Sequence, residues 1–131
     1  MKITSTIARY FLGVIFLIFG LNGFLNFLKM PPPSSQAAMQ FFTVMSGSHY
    51  MALVFLVQLV SAAILLTGFY VPLALTCLAP VLMNILIYHA LMDPSGIGPG
   101  VFCTILWFLV FAGYRSSFAP LFKAKAEGST R

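Results

Sequence analysis

The sequence predicts an all-α, polytopic membrane protein: a four-transmembrane-helix bundle with a short extracytoplasmic amphipathic helix between spans one and two. Three observations carry that expectation. Hydrophobic residues make up 60% of the 131 and charged residues only 7%, with a mean hydropathy of +1.00. A soluble domain carries about 25% charged residues because its surface must face water, so lipid is the solvent that suits this chain. Apolar runs of spanning length recur between turns dense in Gly and Pro. The basic residues gather at the two ends of the chain, which is a pattern of membrane orientation, and the net charge of +5 therefore does not point to nucleic acid.

The first span covers residues 10–28, preceded by Lys2 and Arg9. It exceeds a signal-peptide core, and no small-x-small cleavage site follows. Gly13 and Gly20 share one face, where another backbone can approach closely, while Asn22 and Asn26 share another. Lys29 and the run Met30-Pro31-Pro32-Pro33 should end the helix. Residues 34–50 read as an outer loop with its own short helix, capped by Ser34 or Ser35. Ala38, Phe41, Phe42 and Met45 form its apolar stripe. About three turns long, it is too short to span and suits the interface, where His49 and Tyr50 also fit.

Span two covers 51–67 and places Gln58, Ser61, Ala62 and Leu65 on one face. Residues 68–72 make a tight turn into span three, 72–92. Residues 93–100 form the next turn, and span four covers 100–114, with Cys103, Thr104 and Trp107 on one side. That last span is short, so it should extend towards Phe118 or be matched by a thinner bilayer. Residues 1–118 thus form one transmembrane domain, and 119–131 a polar cytoplasmic tail. Four spans put both termini on one side. Lys2, Arg9, Arg115, Lys123, Lys125 and Arg131 make that side cytoplasmic, against only Lys29 and Asp93 in the opposite loops.

The stretch 79–94 organises the chain. It is almost wholly apolar, yet it holds Pro80, Asn84, Tyr88 and His89, and ends in Asp93. Asn84 and Tyr88 share a helix face, as do His89 and Asp93. Asn84 and His89 stand roughly 140° apart on an ideal helix, and Pro80 permits the bend that would bring them together. Depth sorts the remaining polar groups into the outer half of the bundle. Asn22, Asn26, Gln58, Asn84, Tyr88, His89 and Trp107 are therefore the candidate ligand-binding residues, lining a cavity for a flat, mostly apolar ligand. The plainer account of the amides is interhelical hydrogen bonding at about 0.6 kcal/mol each, and of His89 an interfacial bond to Asp93 or to a turn carbonyl.

Catalytic chemistry is poorly represented. Cys77 and Cys103 stand alone, without C-x-x-C or metal-ligand spacing, which argues against a thiol-redox catalyst. Their depths differ by about 15 Å, too far for a disulfide. No metal site is expected, and a lone intramembrane histidine is poor evidence for haem. No nucleophile, carboxylate pair or cofactor motif marks an independent enzyme.

Three groups of residues resemble a known family. They are Gly20-Leu21-Asn22-Gly23-Phe24 with Met30-Pro31-Pro32; Gly68-Phe69-Tyr70-Val71-Pro72-Leu73-Ala74-Leu75; and Pro80-Val81-Leu82-Met83-Asn84-Ile85 followed by His89 and Asp93-Pro94. Together they resemble the DoxX-like small membrane proteins over nearly the whole chain. The resemblance implies a four-helix membrane bundle in a bacterial inner (plasma) membrane. It also implies association with oxidoreductases, the founding name coming from a subunit associated with a thiosulfate:quinone oxidoreductase. A quinone is then the cofactor or ligand to expect, and a redox protein the partner beside the lipid bilayer; self-association into a homo-oligomer is a separate expectation that does not come from the resemblance. Relatives often carry an acidic residue near the position of Gln58, and an amide cannot titrate in its place. The expected function is a redox-linked membrane subunit binding a quinone-like or other apolar ligand. The alternative is a non-catalytic assembly partner or membrane anchor.

Overall fold

The computed structural model describes residues 2–128. It is 82% helix with no strand among the described residues, and four of its helices are long and apolar enough to cross a membrane. The elements are α1 (Lys2–Leu25), α2 (Gln36–Gly47), α3 (Tyr50–Thr67), α4 (Val71–Leu91) and α5 (Ile97–Phe118), with short 3-10 turns at Pro94–Gly96 and Ala119–Phe122.

Local chemistry sets most of the boundaries. α1 begins eight residues before the expected start at 10 and stops at Leu25, before Lys29 and the prolines. Its early start follows from geometry: a helix that leaves the hydrocarbon keeps its backbone bonds, so Lys2, Thr4, Ser5 and Thr6 continue it. The stop comes from Asn26, in the left-handed region at φ 50°, a conformation Asn tolerates better than most residues. The Asn26 N–H donates to Asn22 O at 2.9 Å. The Asn22 side chain then accepts from Leu28 N at 2.7 Å, satisfying the chain as it turns away.

Ser35 caps α2, its hydroxyl accepting from Ala38 N at 3.0 Å. α3 ends at Gly68, φ 81°, whose N–H donates to Ile64 O at 3.0 Å. A left-handed Tyr70 and Pro72 in the first turn then open α4. The 93–100 segment is less of a turn than expected, and α5 starts at Ile97 and runs to Phe118. Pro94 and Pro99 each sit in the first turn of a helical segment, where a missing N–H costs nothing. Prolines that looked like breakers are starters here.

The long helices touch in a closed order: α1 with α3, α3 with α4, α4 with α5, and α5 with α1. Gly13, Gly20 and Gly23 form the seam between α1 and α3. A Cβ on them would lie 3.0 Å from Leu66, 2.9 Å from Leu59 and 2.3 Å from Phe55. Leu12, Leu65, Val71, Leu75, Leu78 and Val110 are sealed in the centre. In lipid such packing acts through dispersion between close surfaces, since the surrounding chains are themselves apolar.

Candidate functional site

The C-terminal end of α4 gathers the chemistry. One turn beyond Ile85, the Tyr88 ring is boxed by Phe41 (centroids 5.2 Å apart), by Phe42 edge-on at 5.4 Å, and by His89 edge-on at 4.9 Å. The Tyr88 hydroxyl is enclosed and has no hydrogen-bond partner among the described residues. An enclosed hydroxyl without an acceptor costs about 1–3 kcal/mol, and among the described residues this is the one buried side-chain polar atom left without a partner.

His89 is held by the turn that follows it. Its Nδ1 lies 2.9 Å from Asp93 O, and Gly96 leaves room for the ring, since a Cβ there would come within 2.6 Å of His89 Cε1. A backbone carbonyl only accepts, so Nδ1 carries the hydrogen, and a ring that carries no second proton presents Nε2 as an acceptor. Asp93 Oδ1 accepts from Ser34 Oγ and from Ser95 Oγ, the latter at 2.6 Å. Those hydroxyl bonds, Ser34 first, hold the carboxyl below its usual range against the opposing effect of desolvation, with a smaller contribution from the charge of His89. Next to it, Ser35 Oγ donates to Met92 O. The loop before α2 is therefore fastened to the turn after α4, across 57 to 59 residues of chain.

The expected ligand-binding residues do not all meet. Tyr88 and His89 belong to this aromatic box. Asn22 is buried but spends its oxygen on Leu28 N, and Asn26 is an exposed helix terminator. Gln58 is buried on α3 with Ser61, Ala62 and Leu65, the face its spacing indicated. Asn84 is exposed and donates to Pro80 O of its own helix at 2.8 Å, so the bend expected at Pro80 does not carry it towards His89. Trp107 lies at another level, its Nε1 donating to Leu75 O at 2.9 Å and its ring stacked on Phe111. The two described grooves are lined by other residues, one of about 400 Å³ between α3 and α4 and one of about 220 Å³ beside Lys2.

Comparison with protein-family models, curated proteins and solved structures gives no match. The site is therefore described by its own chemistry.

Some of that chemistry was not legible in the spacing. Phe41 and Phe42 cover Tyr88 from a helix more than forty residues away in sequence, and Ser34 pairs with Asp93 by the same long closure. At the opposite end Arg9 is buried, donating through Nη1 to Leu65 O, with its guanidinium 4.4 Å from the Tyr10 ring centre. Ser5 Oγ donates to Val110 O at 3.2 Å, close against Gly113. Cys77 is exposed and Cys103 buried, and both are free thiols. Among the described residues no group of three His, Cys, Asp or Glu is placed to hold a metal ion.

Proposed function

We propose that this chain is a DoxX-like integral membrane protein: a four-helix membrane bundle in a bacterial inner membrane, with both termini cytoplasmic and α2 lying amphipathically at the outer interface. It acts as a redox-linked subunit whose ligand is a quinone-like ring. The observation that carries the reading is the enclosed Tyr88 hydroxyl with no acceptor, boxed by Phe41, Phe42 and His89. A carbonyl on a flat apolar ring entering beneath α2 supplies the missing acceptor. The aromatic walls match its faces, and His89 Nε2 accepts from the hydroxyl of the reduced form. Electrons come from a partner redox protein, and this chain binds and orients the ring.

The test is thermal unfolding in detergent with a short-chain ubiquinone analogue. Wild type should gain several degrees, and Tyr88→Phe and His89→Phe should lose that gain. Tyr88→Phe removes an unsatisfied group, so the apo protein should unfold at the same temperature as wild type or above it. A wild-type protein indifferent to the analogue, or a Tyr88→Phe variant that still responds fully, overturns the reading.

A further inference from the structure

Each of α1, α3 and α5 buries at least one polar or thiol side chain. α1 buries Ser5, Arg9 and Asn22, α3 buries Gln58 and Ser61, and α5 buries Cys103. α4 fully buries none, and only Tyr88 and His89 near its C-terminal end are partly enclosed. Its buried face, Val71, Ala74, Leu75, Leu78 and Leu82, is aliphatic throughout. Its exposed face carries Thr76, Cys77, Pro80 and Asn84. Thr76 Oγ1 is satisfied by Pro72 O at 2.8 Å. Asn84 is satisfied only in part: Nδ2 donates to Pro80 O, and no described residue donates to its Oδ1.

Depth makes this costly. Asn84 lies thirteen residues beyond Val71 and seven before Leu91, about 20 Å and 10 Å along the axis, well inside a hydrocarbon layer about 30 Å thick. A half-satisfied carboxamide facing lipid there needs a polar partner. Beside it runs the groove between α3 and α4, about 400 Å³ and lined by Leu53, Val57, Cys77 and Pro80 among others.

We infer that this face binds a second copy of the chain, α4 against α4, about a two-fold axis along the membrane normal. A carboxamide is its own complement, with one N–H and one oxygen to offer. A two-fold along the membrane normal sets equivalent residues at the same depth, so with the stripe placed on the axis Asn84 meets Asn84 of the partner subunit. A single buried Asn is a known device for fixing register between helices. Any other partner would need to carry its own polar group at that level; a copy brings one by symmetry. Small and polar side chains also let the two helices approach closely, as membrane contacts require.

Cys77 lies on the same stripe two turns from Asn84, which makes the contact testable without adding a probe. In membranes holding the full chain with Cys103→Ala, a short bis-maleimide should join Cys77 to Cys77 of the partner subunit, giving a species of twice the mass. Asn84→Leu should lower that yield about 5- to 10-fold, since two interhelical amide bonds are lost, while Asn84→Gln should keep part of it. Fluorescence of Trp107, the sole tryptophan, reports that the variants stay folded. Val14→Cys, exposed on α1 across the molecule, should not crosslink in a background lacking Cys77 and Cys103. The inference is overturned by a monomeric Cys77 product, by an equal yield from Val14→Cys, by an Asn84→Leu yield matching wild type, or by Cys77 joining a different protein.

Discussion

Arg9 shows what one side chain can do at the edge of an apolar layer. Its guanidinium reaches Leu65 O and rests against Gly68, so a positive charge sits at the C-terminal end of α3, where the free carbonyls of a helix concentrate negative potential. Tyr10 covers its face. Arg9→Met should therefore lower unfolding stability in detergent by about 1.5–3 kcal/mol, the range for a hydrogen bond to a charged group. Arg9→Lys should restore only part, because an ammonium lacks the planar fork and the stacking surface. Denaturant titration followed by helical circular dichroism measures both, and equal stability of Arg9→Met and wild type would remove Arg9 from this role. From the sequence Arg9 reads as a topology charge. Nothing in the spacing joins it to a carbonyl 56 residues away.

At the scale of elements, α2 is the α-helix with the fewest attachments. Only Ala38 among its residues is fully buried, and it is held by the Ser35 cap, the Ser35–Met92 and Ser34–Asp93 bonds, and the Phe41 and Phe42 contacts with Tyr88. The Asp93 carboxyl is held below its ordinary range in the folded chain, so its ionised form is the one the fold prefers. Its contribution is fully present above the unfolded-state value, near 3.9, and is lost as pH falls through the lower folded value. The protection of α2 amides, relative to their intrinsic exchange at each pH, should fall on acidification through that window, and Asp93→Asn should flatten the dependence. Ser35→Ala should accelerate exchange at every pH, the loss of an N-cap costing about 0.5–2 kcal/mol. An α2 exchange rate that ignores both changes would mean the tie does not hold the helix.

For the molecule as a whole, the expected arrangement places α2 outside and both ends inside. With native cysteines replaced by Ala, Met39→Cys on α2 and Lys125→Cys beyond α5 should be labelled by an impermeant maleimide from opposite sides of the membrane. Labelling of both from one side would sink that topology. The four long helices were legible because each is a sustained apolar run bounded by Gly, Asn or Pro. The rotation of α4 about its axis was not. A helix apolar on nearly every face carries no periodic signal of which side turns inward. The general rule that polar groups face the interior placed Asn84 beside His89, and packing along Ala74, Leu75, Leu78 and Leu82 turned it outward. The aromatic box was half legible: Tyr88 and His89 stood out as polar groups in an apolar run, but their cover comes from α2, fixed by long-range closure that no local pattern encodes.

The tie between residues 34–35 and 92–93 also sets a timetable for biosynthesis. While the ribosome is still making α4, Ser34 and Ser35 cannot reach across to the turn after α4, because Met92 and Asp93 do not yet exist. Until then α2 lacks that tie and has its packing against α3 to hold it. The Tyr88 box is therefore fastened last, and a nascent chain cut short before residue 92 would carry every wall of the box but neither of the bonds that tie the start of α2 over it.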